Sequence, residues 1–489
     1  LRVWLIARTG PAGMHGLGGL FLSFVDEISC SGGKMPVRIP YYSTGGLPFA
    51  YPPLAFYATA IFKNALSLSV LSAATGVAAF ANAVALPLFY IGARRVRVPG
   101  LALGCACVIY GLMPAAYIEQ FEIAGLAEAF GNLAIIIFAL GLHAAHDQSG
   151  VRSHVLAGVG WAFCVLSSPG SAYGSAVMAL IYIVALCLRD PMPRTWAHNL
   201  TMLLAMGAVG LGLSAPYWLT VVVRHGAGTF IRSFGAQHGS FVELLATSLV
   251  GFLDFSVSGG PLGFVTDVLI LSGLVWAFCQ RRWWLIIWFL GFLAIPREGR
   301  WLVTVPAAIL GGIGLAETLL LLAAYRGKIG RLVGFAVVTT SLVFNVIGSV
   351  VLHDAEYDEE LWTQAQAAMI WARANTPADA TFIVLGDQYV REWVPYVAQR
   401  AVLNVWWGQE WEPDEQRVIG QLNDALQECR DWGCVCANLA AVAGIQSELW
   451  ILLETAMLPD LRWSEGEDDF LSTMWSNDRF VIGGLTCSP

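Results

Sequence analysis

Over its first three quarters the chain alternates long apolar runs with short polar breaks. A helix needs about 20 apolar residues to cross roughly 30 Å of hydrocarbon, because only hydrogen bonds within the segment satisfy its backbone there. Runs near that length fall at 69–92, 98–115, 124–143, 155–169, 171–188, 199–222, 262–279, 283–296, 302–324 and 330–351. The chain opens without Met on LRVWLIAR, which reads as the last turns of a further spanning helix rather than a signal peptide, since it has neither a charged start nor a cleavage site. The pattern predicts a polytopic α-helical membrane protein of about 11 spans, that cropped first one included.

Two stretches follow other periods. Between residues 9 and 68, Leu20, Phe21, Phe24, Val25 and Ile28 recur at helical spacing, with Asp26 nearly opposite and Glu27 at the border of the stripe. An amphipathic helix lying in the membrane interface is expected. Residues 32–54 are too rich in Gly and Pro for a helix and predict a loop. Its aromatics Tyr41, Tyr42, Phe49 and Tyr51, with nearby Phe56, favour order at the lipid boundary. After residue 352, helix-period segments near 359–374, 389–399 and 414–430 alternate with the strand-like TFIVLG and AVLNV. That order predicts a small α/β domain.

Composition adds direction. The 489 residues are 57% hydrophobic and 13% charged, against about a quarter charged in soluble domains, so the chain meets lipid. Residues 1–351 carry 20 Lys and Arg against 12 Asp and Glu, whereas 352–489 carry 7 against 23. ARRVR at 93–97, Arg152, RDPMPR at 189–194, Arg281–Arg282 and RGKIGR at 326–331 fall on one side if every run crosses once, and basic loops stay in the cytoplasm. The loops 9–68, 114–123, 223–261 and 297–301 then lie outside. A membrane domain over 1–351 and an extracytoplasmic domain over 352–489 follow. Cys105, Cys107, Cys164, Cys187 and Cys279 lie in spans and read as packing residues. Cys429, Cys434, Cys436 and Cys487 form an even set in the tail, which suits disulfides in an oxidising compartment, with a zinc site as the rival reading.

RIPYYSTGGLPFAYPPLAFY (Arg38 to Tyr57), EWVPYVAQRAVLNVWWGQEW (Glu392 to Trp411) and FLAIPREGRWLVTVPAAILGGIGL (Phe292 to Leu315) resemble stretches of bacterial and archaeal GT-C glycosyltransferases. That superfamily contains aminoarabinose transferases and protein O-mannosyltransferases. The resemblance implies that a hexose or pentose leaves a polyprenyl-phosphate carrier and joins a lipid, glycan or protein acceptor at the non-cytoplasmic face, with inversion. The chain has no P-loop, no GxGxxG after a strand and no HExxH. No nucleotide cofactor and no nucleic-acid partner are expected, and a divalent metal is left open.

Such a transfer needs a carboxylate to take the acceptor's proton and cations to hold the departing phosphate. The resemblance implies that the carboxylate lies in the first external loop, and Asp26 and Glu27 are the only acidic residues between 1 and 118. Relatives place an Asp earlier, where this chain offers only His15. Glu119 and Glu122 stand three apart at the outer end of a span, neighbours on one helical face, with Glu128 beyond them. Arg224, His225, Arg232 and His238 lie in the fourth external loop, and Arg297 and Arg300 flank the short fifth. These cations suit the phosphate of a lipid carrier, and equally the headgroups of membrane lipid. Asp254 and Asp267 suit buried polar partners or the ends of a re-entrant segment. Trp406, Trp407 and Trp411 with Glu410 and Glu412 suit sugar stacking, or simply the packing of the tail. Two other readings of the whole chain are a secondary transporter or flippase, and a non-catalytic GT-C-like assembly subunit.

Overall fold

The computed structural model describes residues 18–117, 125–148, 151–189, 193–230, 263–293, 295, 299–356, 358–443, 449–456 and 471–487. It is mostly helical. The helices α3 (Val70–Arg95), α5 (Leu126–Gln148) and α8 (Pro193–His225), and both halves of α12 (Thr304–Glu356), contain stretches long and apolar enough to cross a membrane. The protein is therefore a multi-pass membrane protein. Of the other helices in this region, α4 (Gly100–Leu112), α9 (Phe264–Cys279) and α10 (Trp283–Leu293) have only 13, 16 and 11 residues. Five span-length stretches are thus found among the described residues, and the remaining apolar runs either hold shorter apolar helices or reach beyond the described residues.

α12 is helical throughout its 53 residues yet is not one rod. Gly327 has φ +52°, which glycine tolerates best. A Cβ on Gly334 would lie 2.9 Å from Leu319 Cδ2, whereas a straight helix would hold those residues about 22 Å apart. The chain folds back on itself in the RGKIGR segment, which the sequence reads as a turn between two spans. Small residues bring the helices close. Gly273 of α9 meets the backbone of Leu310, and Gly314 of α12 meets the backbone of Leu269 and Gly273. Glycine at a helix contact lets two backbones approach, which is how apolar helices associate where no hydrophobic force separates them from lipid.

The tail forms a five-stranded sheet of order β4-β3-β5-β7-β6, with β3 (Thr381–Leu385), β4 (Ala401–Val402), β5 (Leu449–Glu454), β6 (Leu471–Ser476) and β7 (Phe480–Leu485). β4, β3 and β5 run parallel, and β7 and β6 complete the sheet antiparallel. Around it lie α13 (Glu359–Asn375), α14 (Gln388–Val397), α15 (Pro413–Glu428) and α16 (Trp432–Ala443). Asp358 caps α13 by accepting from Leu361 N at 2.9 Å, and Asp387 caps α14 by accepting from Tyr389 N at 2.7 Å, each satisfying a first-turn donor. The four tail cysteines pair as Cys429–Cys434 and Cys436–Cys487, so disulfides and not a zinc site account for them.

The amphipathic segment forms α1 (Gly18–Cys30). Its stripe is covered by protein: Leu20, Phe21, Phe24, Val25 and Ile28 are all buried. The partner is the tail, for a Cβ on Gly19 would clash with the Glu392 carbonyl and fall 2.9 Å from Trp393 Cα, both on α14. The sequence assigns this stripe to the membrane interface. An apolar stripe calls only for an apolar neighbour, and here α14, Phe49 and Phe56 supply it, the two rings packing edge-on against Phe24 at 5.0 and 4.9 Å.

Candidate functional site

Three parts of the chain meet at one junction: the first loop, the C-terminal end of α8, and the tail. In the loop, β1 (Arg38–Ile39) and β2 (Leu47–Pro48) make a small antiparallel hairpin. Its tip continues the tail sheet, since Ser43 N donates to Val402 O at 3.1 Å and Val402 N donates to Tyr41 O at 3.0 Å. Tyr42, fully buried, donates its hydroxyl to the Glu392 carbonyl at 3.1 Å. α8 holds the same loop: Tyr217 donates to Ala50 O at 2.7 Å, and Arg224 Nη1 donates to Met35 O at 2.9 Å and Pro36 O at 3.0 Å. The loop, the end of α8 and the tail therefore share one side of the membrane.

Two polar clusters sit in this junction. In the first, Lys63 of α2 (Leu54–Leu66) pairs with Asp26 at 2.7 Å, and the Tyr396 hydroxyl of α14 also donates to Asp26. Burial, and then the adjacent carboxylate, hold the Tyr396 hydroxyl protonated well above its ordinary value. Glu27 lies beside this group, and burial followed by the charge of Asp26 pushes its carboxyl above the usual range.

In the second cluster, Arg38 Nη2 donates to both oxygens of Glu412, at 2.9 and 3.1 Å, and to Gly46 O at 2.6 Å. A cavity of about 290 Å³ opens next to the pair. Pro48 of the hairpin and His225 and Thr229 from the end of α8 form one part of its wall, and Trp411, Glu412, Asp414 and Glu415 of the tail form the rest. Burial, and then the neighbouring Glu412, raise the Glu415 carboxyl, and these two side chains share a hydrogen bond. Gly408 positions the segment: its φ is +84°, and a Cβ there would run into Leu47 and lie 3.3 Å from Leu20. No group of three or more His, Cys, Asp or Glu among the described residues is spaced to hold a metal ion.

Of the residues expected from sequence, Asp26, Glu27, Arg224, His225, Trp411 and Glu412 are in the junction. Asp26 is ion-paired, and one nitrogen of Arg224 is engaged with loop carbonyls. His15, Glu119, Glu122, Arg232 and Arg297 lie outside the described residues, as does Asp254. Arg300 is in the short helix α11 (Gly299–Leu302), and only its backbone is described. Trp411 is buried against Tyr51 at 6.4 Å while also lining the cavity, so it serves packing and wall together. Asp267 is buried in the first turn of α9. Sequence reading does not find Lys63, Tyr396, Asp414 or Glu415, which belong to other helices and gain meaning only from the contacts.

The solved structures that this chain resembles in fold are GT-C glycosyltransferases. One is ArnT from Cupriavidus metallidurans bound to undecaprenyl phosphate, with TM-score 0.58 and 15% identity, covering 99% of this chain and 96% of that one. Another is the oligosaccharyltransferase AglB from Archaeoglobus fulgidus in complex with an inhibitory peptide and a dolichol-phosphate, with TM-score 0.60 and 13% identity, covering 91% and 66%. A third is the arabinofuranosyltransferase AftD from Mycobacteria, with TM-score 0.55 and 12% identity, covering 100% and 39%. The chain thus spans about two thirds of AglB and a smaller share of AftD. No protein family and no curated protein matches the sequence.

Proposed function

We propose that the chain is an integral membrane glycosyltransferase that moves a sugar from a polyprenyl-phosphate carrier to a lipid, glycan or protein acceptor at the non-cytoplasmic face, with inversion. The observation that carries this is the match along nearly the whole of both chains to ArnT, whose structure holds undecaprenyl phosphate. The two tail disulfides favour an oxidising compartment for the tail, and the first loop and the end of α8 lie on the tail's side. An in-line displacement needs one carboxylate to accept the acceptor's proton as the glycosidic bond breaks. Asp26 and Glu27 are the carboxylates we assign to that task, with Glu122 as third candidate. Glu119 and His15 would contact the sugar, and Arg297, Arg300, Arg224 and Arg232 would hold the phosphate, whose charge grows as it leaves.

The test is purified protein in nanodiscs with radiolabelled polyprenyl-phosphate sugars and a membrane extract as acceptor source. Wild type should transfer label, and Asp26→Asn or Glu27→Gln should lower the rate at least tenfold in folded protein. No transfer from any lipid-linked donor, with intact uptake of a solute instead, would overturn the reading in favour of a transporter.

A further inference from the structure

We infer that the Cys429–Cys434 bridge is a redox-exchangeable site, opened by an incoming dithiol, while Cys436–Cys487 stays closed as a structural bridge. This is independent of the sugar-transfer reading. Cys429 directly follows α15 and Cys434 is the third residue of α16, so the bridge closes the turn CRDWGC between the two helices. Arg430, Asp431 and Gly433 of that turn are exposed, and Cys434 is partly exposed, whereas Cys429 is buried. An incoming thiolate therefore meets the Cys434 sulfur first.

Thiol–disulfide exchange depends on which sulfur is attacked and on how well the departing thiolate is stabilised. Asn438 Nδ2 donates to Cys429 Sγ at 3.3 Å and to Cys434 Sγ at 3.4 Å, as well as to Cys434 O at 3.1 Å. One amide thus reaches both sulfurs and supports charge on whichever is released. Cys434 also stands in the first turn of the 12-residue α16, where the partial positive charge of the helix favours a thiolate. The capping carboxylate, Asp431, accepts from Cys434 N at 2.7 Å and is exposed, so solvent screens its charge. The second bridge lacks this support. Cys436 is buried in the apolar cluster of the tail, and among the described residues no hydrogen bond reaches its sulfur or that of Cys487. A thiolate expelled there would be left in apolar surroundings, which disfavour it. Nor does exchange pass between the bridges, because Cys434 and Cys436 are two apart on a helix and do not face each other. In the step itself a thiolate of the dithiol attacks Cys434 Sγ, the S–S bond breaks, and Cys429 leaves as a thiolate. The second thiolate of the dithiol then attacks its own mixed sulfur and expels Cys434. The dithiol ends as a disulfide, and its two protons pass to Cys429 and Cys434. Opening frees a turn of sequence separation 5, against 51 for the second bridge, so the tail stays folded.

The experiment uses the oxidised full chain in detergent, with dithiothreitol and reduced thioredoxin as the small and the protein dithiol. Free thiols are blocked first, and thiols released by each probe are then alkylated with a second reagent and quantified by peptide mass spectrometry. Cys429 and Cys434 should be released at least tenfold faster than Cys436 and Cys487, with the melting temperature of the protein nearly unchanged. Asn438→Leu keeps the size of the side chain and removes its donor, and it should slow release at least threefold. Offered glutathione disulfide, Cys429→Ser should form a mixed disulfide at Cys434, whereas Cys434→Ser should leave Cys429 unmodified. Release by thioredoxin as well as dithiothreitol opens the site to a protein partner, and release by dithiothreitol alone confines it to small thiols. Equal rates at the two bridges of the folded wild type, release only after denaturation, or wild-type rates in Asn438→Leu overturn the inference. The wild-type comparison decides it even where a variant fails to fold.

Discussion

Gly19 is where the first loop touches the tail most closely, and replacing it should separate them. Its added Cβ would fall inside contact distance of the Glu392 carbonyl and 2.9 Å from Trp393 Cα. Both are backbone atoms in the middle of α14, so neither can swing aside as the end of a side chain would. Carbon atoms rest about 3.5–4.0 Å apart, so α1 must back away by about 1 Å along its whole buried stripe. Overpacking of this kind costs about 1–3 kcal/mol for Gly19→Ala, and more for Gly19→Leu, which also drives its own branches into α14. The assay is limited proteolysis of the folded protein with the tail's release followed on gels, alongside thermal unfolding. Gly19→Ala should speed cleavage at the junction by about fivefold or more, since 1.4 kcal/mol is a factor of ten in an equilibrium governing transient opening. Gly104→Ala is the control: a Cβ there meets nothing within 4 Å, and alanine in a helix interior is worth about 0.5–1 kcal/mol over glycine. If Gly19→Ala cleaves and melts like wild type, the close docking of α1 on α14 is wrong.

Other outcomes follow from the tail and the carboxylates. Arg400 is 7% exposed and donates to Thr376 Oγ1 and to the carbonyls of Arg373, Thr376, Ala398 and Gln399 at the ends of α13 and α14. Arg400→Met should cost about 3–5 kcal/mol in denaturant unfolding, because buried acceptors lose a charged donor. The Cys436–Cys487 bridge closes a separation of 51 residues, so Cys436→Ser with Cys487→Ser should destabilise the tail by about 4 kcal/mol on the chain-entropy account, measured as the shift in urea midpoint. The raised Glu27 carboxyl binds its proton more tightly in the folded state. Its contribution to stability is present below the ordinary carboxylate range and is lost as pH rises through the raised value. If Glu27 is the base, transfer climbs over that same rise. Glu27→Gln should flatten both the stability profile and the rate profile there. Asp358 has the opposite sign: the Leu361 N–H and then Arg479 hold its carboxyl below the ordinary range, so its stabilising effect is lost only as pH falls through that lowered value. Asp358→Asn should reduce the acid dependence of tail unfolding.

The apolar spacing made the helices legible, because one-sided or all-round apolarity is a local property of consecutive residues. The helical period of α1 and the alternation that becomes α13, β3, α14 and β4 were equally readable. What covers the stripe of α1 was not, since periodicity reports an apolar neighbour without naming it. The same limit governs the site. Asp26 meets Lys63 across 37 residues, and Arg38 meets Glu412 across 374, and no spacing rule connects such pairs. Carboxylates in the first loop were visible as the only ones there, but their ion pairing was not. The even count of tail cysteines pointed to bridges, yet four cysteines allow three pairings and only the fold chooses. Apolar runs bound the spans without fixing their ends: α4, α9 and α10 sit inside runs longer than the helices described for them.

The docking of α1 on α14 sets an order of events during synthesis. Gly19 leaves the ribosome 374 positions before Trp393, an interval of roughly 20 to 75 s at 5–20 residues per second. Through that time the stripe from Leu20 to Ile28 has no α14 to cover it, and the nearest apolar phase is the lipid interface beside the nascent bundle. The membrane surface thus acts as a temporary holder for a helix whose final seat is made last, and the loop changes partner once the tail has folded. Mutations that weaken the tail should then act at a distance. They would leave the first loop stranded on lipid, with the hairpin at Arg38 to Pro48 unpaired and the junction never closed.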